Sequence, residues 1–328
     1  MQRDLCIFLC TGSDILKRKK IEINTNGITL DRGYDEFIMH CRAKNLRETT
    51  IKSYDGRMKT IYKFIEPKTP IGDITQDTVD RFVIGCKTKL KIREITINSY
   101  LRSLKTILYY FMKMGYMKSF HIELIKYDEP IVETYTDAEV KILLKRPDKN
   151  NCTFVEFRNW VICSTLYATG MRCSNILNLK VNDIDFENNL IYLRTTKTRK
   201  PLVLPITKTL QGILREYISI RDGSDEDYIF CTAYGEKMTR DAISGTMRKY
   251  NHSKGVIKTG IHRWRHTFAK QWILNNGDIL KLQRILNHSN LDMVRNYVKI
   301  FTNDLQEDME EFNPLEFVSK KSIRMKKK

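Results

Sequence analysis

Four side chains between Ile261 and Ile300 have the types needed for chemistry on a phosphodiester: His262, Arg265, His288 and Tyr297. Upstream, Arg172 follows Thr169-Gly170, and Lys197 lies in the polar run Thr195-Thr196-Lys197-Thr198. Breaking a DNA strand with a tyrosine hydroxyl requires few parts. The phenol must be aimed in line with a phosphorus, cations must hold the non-bridging oxygens, and an acid must protonate the departing oxygen. Arginine suits the oxygens because its planar fork holds two of them and keeps its proton. Histidine and lysine suit proton traffic near neutral pH. Singly, each residue has an ordinary alternative. Arg172 can be a surface arginine, His288 a turn residue and Tyr297 half-buried packing. Lys197 can be one of three cations, with Arg199 and Lys200, in a solvated turn. Zinc on His262 and His266 lacks both the glutamate of an HExxH pattern and a third ligand, so no metal is expected.

The elements that must position these groups are legible as periodic patterns. Phe268, Trp272 and Ile273 recur at helical spacing, with Gly277 as the expected stop. Ile279, Leu282, Ile285 and Leu286 mark a second helix. Ser289 or Asn290 can cap a third through Leu291, Val294 and Val298. Trp160 to Ala168 predicts an apolar helix ending at Thr169-Gly170, and Met171 to Leu179 resumes helical spacing. Leu190–Leu193 and Leu202–Pro205 read as a β-hairpin with Lys197 near its tip. Thr136 and Glu139 form a capping pair ahead of Val140, Leu143 and Leu144. Residues 210–218 and 239–250 are further helices, the latter basic, and Tyr228-Ile229-Phe230 is a short buried stretch.

The N-terminal half has a different character. Residues 1–28 form an extension holding the basic run Lys17-Arg18-Lys19-Lys20, either a solvated face or an arm along DNA phosphates. Residues 29–117 predict a four-helix domain: Tyr34, Phe37 and Ile38; Ile51, Tyr54, Met58, Ile61 and Phe64; a helix after Thr75 through Val79, Phe82 and Val83; and one from Thr96 through Phe111. Pro67 and Pro70 break the chain between the second and third. Residues 118–134 read as a linker, 135–300 as a second domain, and 301–328 as an acidic segment with a basic tail. On the polar faces, Lys52, Arg57, Arg102 and Lys105 are candidate phosphate contacts, with Arg199 and Lys200 in the second domain.

Composition narrows the partners. The chain has 328 residues with 57 basic against 39 acidic, a formal charge of +18. That surplus suggests a polyanionic partner, most often nucleic acid. No apolar run approaches the length of a membrane span, so no membrane is expected. The eight cysteines show no metal-site spacing; Cys163 and Cys173 read as small core hydrophobes. With no signal peptide apparent, reduced thiols and a cytoplasmic location, nucleoid-associated when on DNA, are expected.

These motifs together resemble the tyrosine recombinase (phage integrase and Xer-like) family. Ala168-Thr169-Gly170-Met171-Arg172 resembles its first-arginine segment, and His262-Arg263-Trp264-Arg265 its His-x-x-Arg segment. Leu286-Asn287-His288-Ser289 resembles its Leu-Gly-His-Ser turn, Lys197 its hairpin lysine, and Tyr297 stands at the nucleophile's place. The likeness reaches from about Thr29 to Phe317. Two positions depart from the pattern: Asn175 where an acidic residue is usual, which questions arginine positioning, and Asn287 where glycine is usual. Asparagine tolerates left-handed backbone, so that turn is expected to survive.

The resemblance implies a mainly α fold with a small β-sheet, a helical core-binding domain that clamps DNA, and a mixed α/β catalytic domain. It implies site-specific recombination, the integration or excision of a mobile element. Tyr297 would form a 3′-phosphotyrosine, Arg172 and Arg265 would hold the phosphate, and Lys197 would be the general acid. His262 would handle the tyrosine's proton and His288 would hydrogen-bond the phosphate. No cofactor is implied. The partner would be double-stranded DNA, bound by a homo-tetramer on two DNA sites, with accessory DNA-bending or directionality proteins. The segment after Tyr297 would pack on a neighbouring protomer or within its own chain. Three other functions fit the residues: a type IB topoisomerase, a DNA-binding protein with an inactive site, and a hydrolytic nuclease, the last disfavoured for want of a carboxylate cluster.

Overall fold

The structure, a computed structural model, describes residues 27–128, 133–194 and 201–287. The chain divides after Glu129 into two compact units. Among the described residues it is mainly α-helical, with one small three-stranded sheet.

The first unit is built from α1 (Leu30–Ala43), α2 (Glu48–Ile61), α3 (Gln76–Thr88) and α4 (Glu94–Met114). Its core joins Phe37, Ile51, Met58, Ile61, Phe82, Leu104, Leu108 and Phe111, the apolar positions that the helical spacing marks. Helix α4 starts two residues before the expected Thr96, because Glu94 in its first turn complements the backbone dipole. It ends at Gly115 in the left-handed region. Phe64 falls just past α2 and packs edge-on against Phe82.

The stretch read as a linker, 118–134, spans the division between the units, and its first part packs on the helical unit. Ile122 is fully buried in the first unit's core. Asn98, buried in α4, donates to the Ile125 carbonyl at 2.7 Å and accepts from its N–H at 3.0 Å. Lys105 donates to the Ile122 carbonyl at 2.7 Å. Residues 118–125 therefore belong physically to the helical unit. Loss of periodicity in the sequence looks the same whether a segment is free or docked through its backbone.

In the second unit, α5 (Asp137–Leu143) starts on the Thr136–Glu139 capping box. Helix α6 (Phe154–Thr169) is central: Phe157, Trp160, Val161, Ile162, Cys163 and Leu166 bury its circumference. After α7 (Cys173–Asn178), the strands β1 (Ile184–Asp185), β2 (Leu190–Leu193) and β3 (Leu202–Pro205) form an antiparallel meander, with Ile191 opposite Leu204. The two-residue β1 has no alternating pattern to announce it. Helices α8 (Lys208–Arg221), α9 (Arg240–Ser253) and α10 (Ile261–Leu274) all pack on α6, and α11 (Ile279–Leu286) packs on α10.

Gly277 does not stop α10. The helix closes at Asn275, and Asn276 takes φ +56°. Gly277 instead lies against Trp272, where a Cβ would come within 2.3 Å of Nε1. Among the described residues, no helix is long and apolar enough to cross a membrane.

Candidate active site

The C-terminal ends of α6 and α11 meet the start of α7 and one face of α10. Gly170 makes that meeting possible. It ends α6 with φ +59°, and a Cβ there would lie 2.4 Å from Phe268 and 2.8 Å from Leu286. A side chain would be both strained and crowded. At the facing end, Asn287 closes α11 at φ 49°, ψ 53°, the left-handed conformation expected of it in glycine's place.

Arg172 and Arg265 converge on this corner from different elements. Arg172 is the extended residue that caps α7; Arg265 lies mid-way along α10, only 5% exposed. Arg172 donates through Nη2 to the Asn287 carbonyl at 3.0 Å. Arg265 donates through Nη1 to the Gly170 carbonyl at 2.8 Å and through Nη2 to the Leu286 carbonyl. Carbonyls at a helix C-terminus lack intrahelical donors and carry the negative end of the dipole, so two guanidiniums answer both needs. The bonds also hold the two cations as a pair.

His262 is one turn before Arg265 on the same face of α10. Partial desolvation, then the charges of Arg240, Arg265 and Arg172, hold its imidazolium below the ordinary histidine range, although its edge keeps solvent access. The same surroundings favour its uncharged form over the imidazolium. Desolvation and the nearby His262, Arg265 and Arg263 lower His266 further, to about 4.

Asn175 is buried beside this corner, 7% exposed, and its N–H bonds the Arg172 carbonyl at 2.8 Å. Its side chain lines a cavity of about 270 Å³ with Asn178, Asp183, Tyr192 and Arg194. Asp183, 4% exposed, accepts from Arg194 Nε at 2.6 Å and from the Lys180 N–H at 3.0 Å. A carboxylate thus lines the cavity and anchors Arg194 just past the end of β2.

The structure brings together Arg172, His262 and Arg265. Lys197, His288 and Tyr297 lie outside the described residues, as do Arg199, Lys200 and the third helix expected after Ser289. Of the candidate phosphate contacts in the first unit, Lys52 and Arg102 are exposed. Arg57 donates to Ser103 Oγ at 2.8 Å, and Lys105 is held by Ile122 and lies 5.2 Å from the Tyr109 ring centroid. These two have internal partners that periodicity does not reveal. Arg240, not marked by any motif, opens α9, which packs against α7, and its charge bears on Cys173 and His262. Its only signal was its place at the head of a basic helix.

Comparison with known proteins decides the family. The model of the phage integrase family matches residues 133–304, more than half of the chain, and that of the phage integrase SAM-like domain matches residues 33–128. The chain belongs to the phage integrase family of tyrosine recombinases. A tyrosine recombinase from Pseudothermotoga lettingae is 26% identical over 275 residues, which span 82% of this chain and 93% of that one. Among solved structures, the Tn1549 transposon integrase in complex with transposon right end DNA aligns with TM-score 0.70 at 21% identity, covering 87% of this chain and 99% of that one. A lambda integrase tetramer bound to a Holliday junction aligns with TM-score 0.67 at 17% identity, covering 83% and 78%. At those identities the structural likenesses establish the fold. Membership assigns this tyrosine recombinase its activity, the breaking and rejoining of DNA in site-specific recombination.

Proposed function

We propose that this recombinase cuts DNA through Tyr297, forming a 3′-phosphotyrosyl link and a free 5′-hydroxyl without metal or cofactor, and serves the integration or excision of a mobile element. The observation that carries the chemistry is the pairing of Arg172 and Arg265 across the end of α11. Two rigid forks held together suit the non-bridging oxygens of one phosphate, on which transition-state charge accumulates. His262, its uncharged form favoured, receives the tyrosine's proton as the phenol attacks. Lys197 protonates the departing 5′-oxygen and His288 hydrogen-bonds the phosphate. The phosphodiester's energy is retained in the covalent link, so rejoining is the same step reversed.

The alignment with a transposon integrase favours the mobile-element reading. The alignment with an integrase tetramer on a Holliday junction favours a homo-tetramer acting on two DNA sites. Accessory DNA-bending or directionality proteins, a cytoplasmic setting and association with the nucleoid belong to the same reading.

Nicked duplex carrying the site, taken from DNA flanking the gene, is mixed with protein in EDTA and run on a denaturing gel. A covalent adduct that vanishes in Tyr297→Phe is the expected result. Tight binding with no adduct would mean a DNA-binding relative with an inactive site, the outcome that Asn175 in place of an acid makes worth testing. Relaxation of plasmid lacking any site would point to topoisomerase activity instead.

A further inference from the structure

Helix α9 opens on a residue that its surroundings do not favour. Arg240 is the first helical residue after the Thr239 cap, where the positive end of the backbone dipole opposes a cation. Asp241 follows it, yet no carboxylate lies within ion-pair distance of the Arg240 guanidinium among the described residues. Helix α9 packs against α7, which opens on the buried Cys173, one residue past Arg172, and the Arg240 charge opposes the upward push of burial on that thiol. A thiol is a weak acceptor and leaves the charge uncompensated. Arg240 also stands foremost among the three guanidiniums that bear on His262. Three like charges around one imidazole repel one another, and an anion relieves that repulsion.

We propose that Arg240 grips a backbone phosphate of the cut strand adjacent to the scissile one, extending the two-arginine site along the DNA. The assignment rests on the strand-cleavage reading above. Arg172 and Arg265 share the end of α11 as a fixed pair, and two forks already satisfy one phosphate's oxygens. Arg240 comes from another element, the start of α9, which packs against α7 beside Arg172. Its exposed side chain therefore addresses a second phosphate and helps to set where along the strand the phosphorus comes to rest. A contact of that kind fixes register and carries no sequence information.

The test uses the full chain and the nicked duplex, with each phosphate within three positions of the scissile one replaced in turn by a neutral methylphosphonate. Arg240→Gln should slow single-turnover adduct formation by about tenfold or more, and Arg240→Lys should recover part of the loss. The salt dependence of duplex binding should fall by about one unit of logarithmic slope in Arg240→Gln. One non-scissile methylphosphonate should slow the unaltered chain by a similar factor and leave Arg240→Gln unaffected. Equal sensitivity of both proteins to every methylphosphonate would overturn the contact, as would an unchanged rate in Arg240→Gln. If the unaltered chain forms no adduct, the cleavage reading itself falls and Arg240's role falls with it.

Discussion

At the scale of the residue, the candidate site holds Arg172 and Arg265 on neighbouring carbonyls and disfavours the charged forms of His262 and His266. His266 has the strongest such shift, to about 4, set by desolvation and by His262, Arg265 and Arg263. The consequence for stability has a definite sign. In the unfolded chain histidine binds its proton near pH 6.5, while the folded chain resists protonation until about pH 4. The unfolded state therefore binds more protons between those values, and stability is lost as pH falls through that window. Denaturant melts at pH 7 and pH 4.5 should separate the wild type from His266→Gln. The variant should lose less stability on acidification, by on the order of 1–2 kcal/mol once partial solvent access is allowed for. Parallel losses would mean that His266 accepts its proton without hindrance.

Among the elements, the close approach of α6, α10 and α11 matters most, because it turns two distant arginines into neighbours. Gly170 is its weakest point chemically and its tightest sterically. Gly170→Ala should cost about 2 kcal/mol or more, combining left-handed strain with displacement of Phe268 or Leu286. The same displacement should disturb the Arg265 bond to the Gly170 carbonyl, so adduct formation should fall further than folding alone explains. Rates compared at a temperature where the variant is fully folded give the answer. A folded variant with the unaltered rate would separate the packing from the site. Helix α9, which opens on Arg240, packs against α7 and α6.

For the whole molecule, the division into two units follows from two separate cores. Residues 118–125 extend the helical unit, with Asn98 acting as a side-chain partner for the Ile125 backbone. Limited trypsin digestion should therefore release an N-terminal fragment that retains Ile122 and Ile125, cut at or beyond Lys126. Asn98→Ala leaves both Ile125 backbone groups without these partners, at a cost of about 1–3 kcal/mol. In that variant, cleavage at Lys118 should appear early. An unchanged pattern would mean that burial of Ile122 alone holds the segment down.

Much of this protein was legible before any coordinates. The helical stripes of the first unit follow from the 3.6-residue repeat, and the caps at Thr136 and Asn287 follow from side-chain chemistry and left-handed tolerance. Arg172, His262 and Arg265 could be singled out beforehand because their segments resemble the family's motifs, and the structure brings the three together. Other features depended on contacts between segments far apart in the chain, which local patterns do not encode. The docking of 118–125 runs through backbone carbonyls, which every residue possesses. The engagement of Arg57 and Lys105, the role of Gly277 beneath Trp272, and the bearing of the Arg240 charge on Cys173 were likewise decided by tertiary packing. A guanidinium's meaning is set by the groups facing it, and only the folded chain brings those groups within reach.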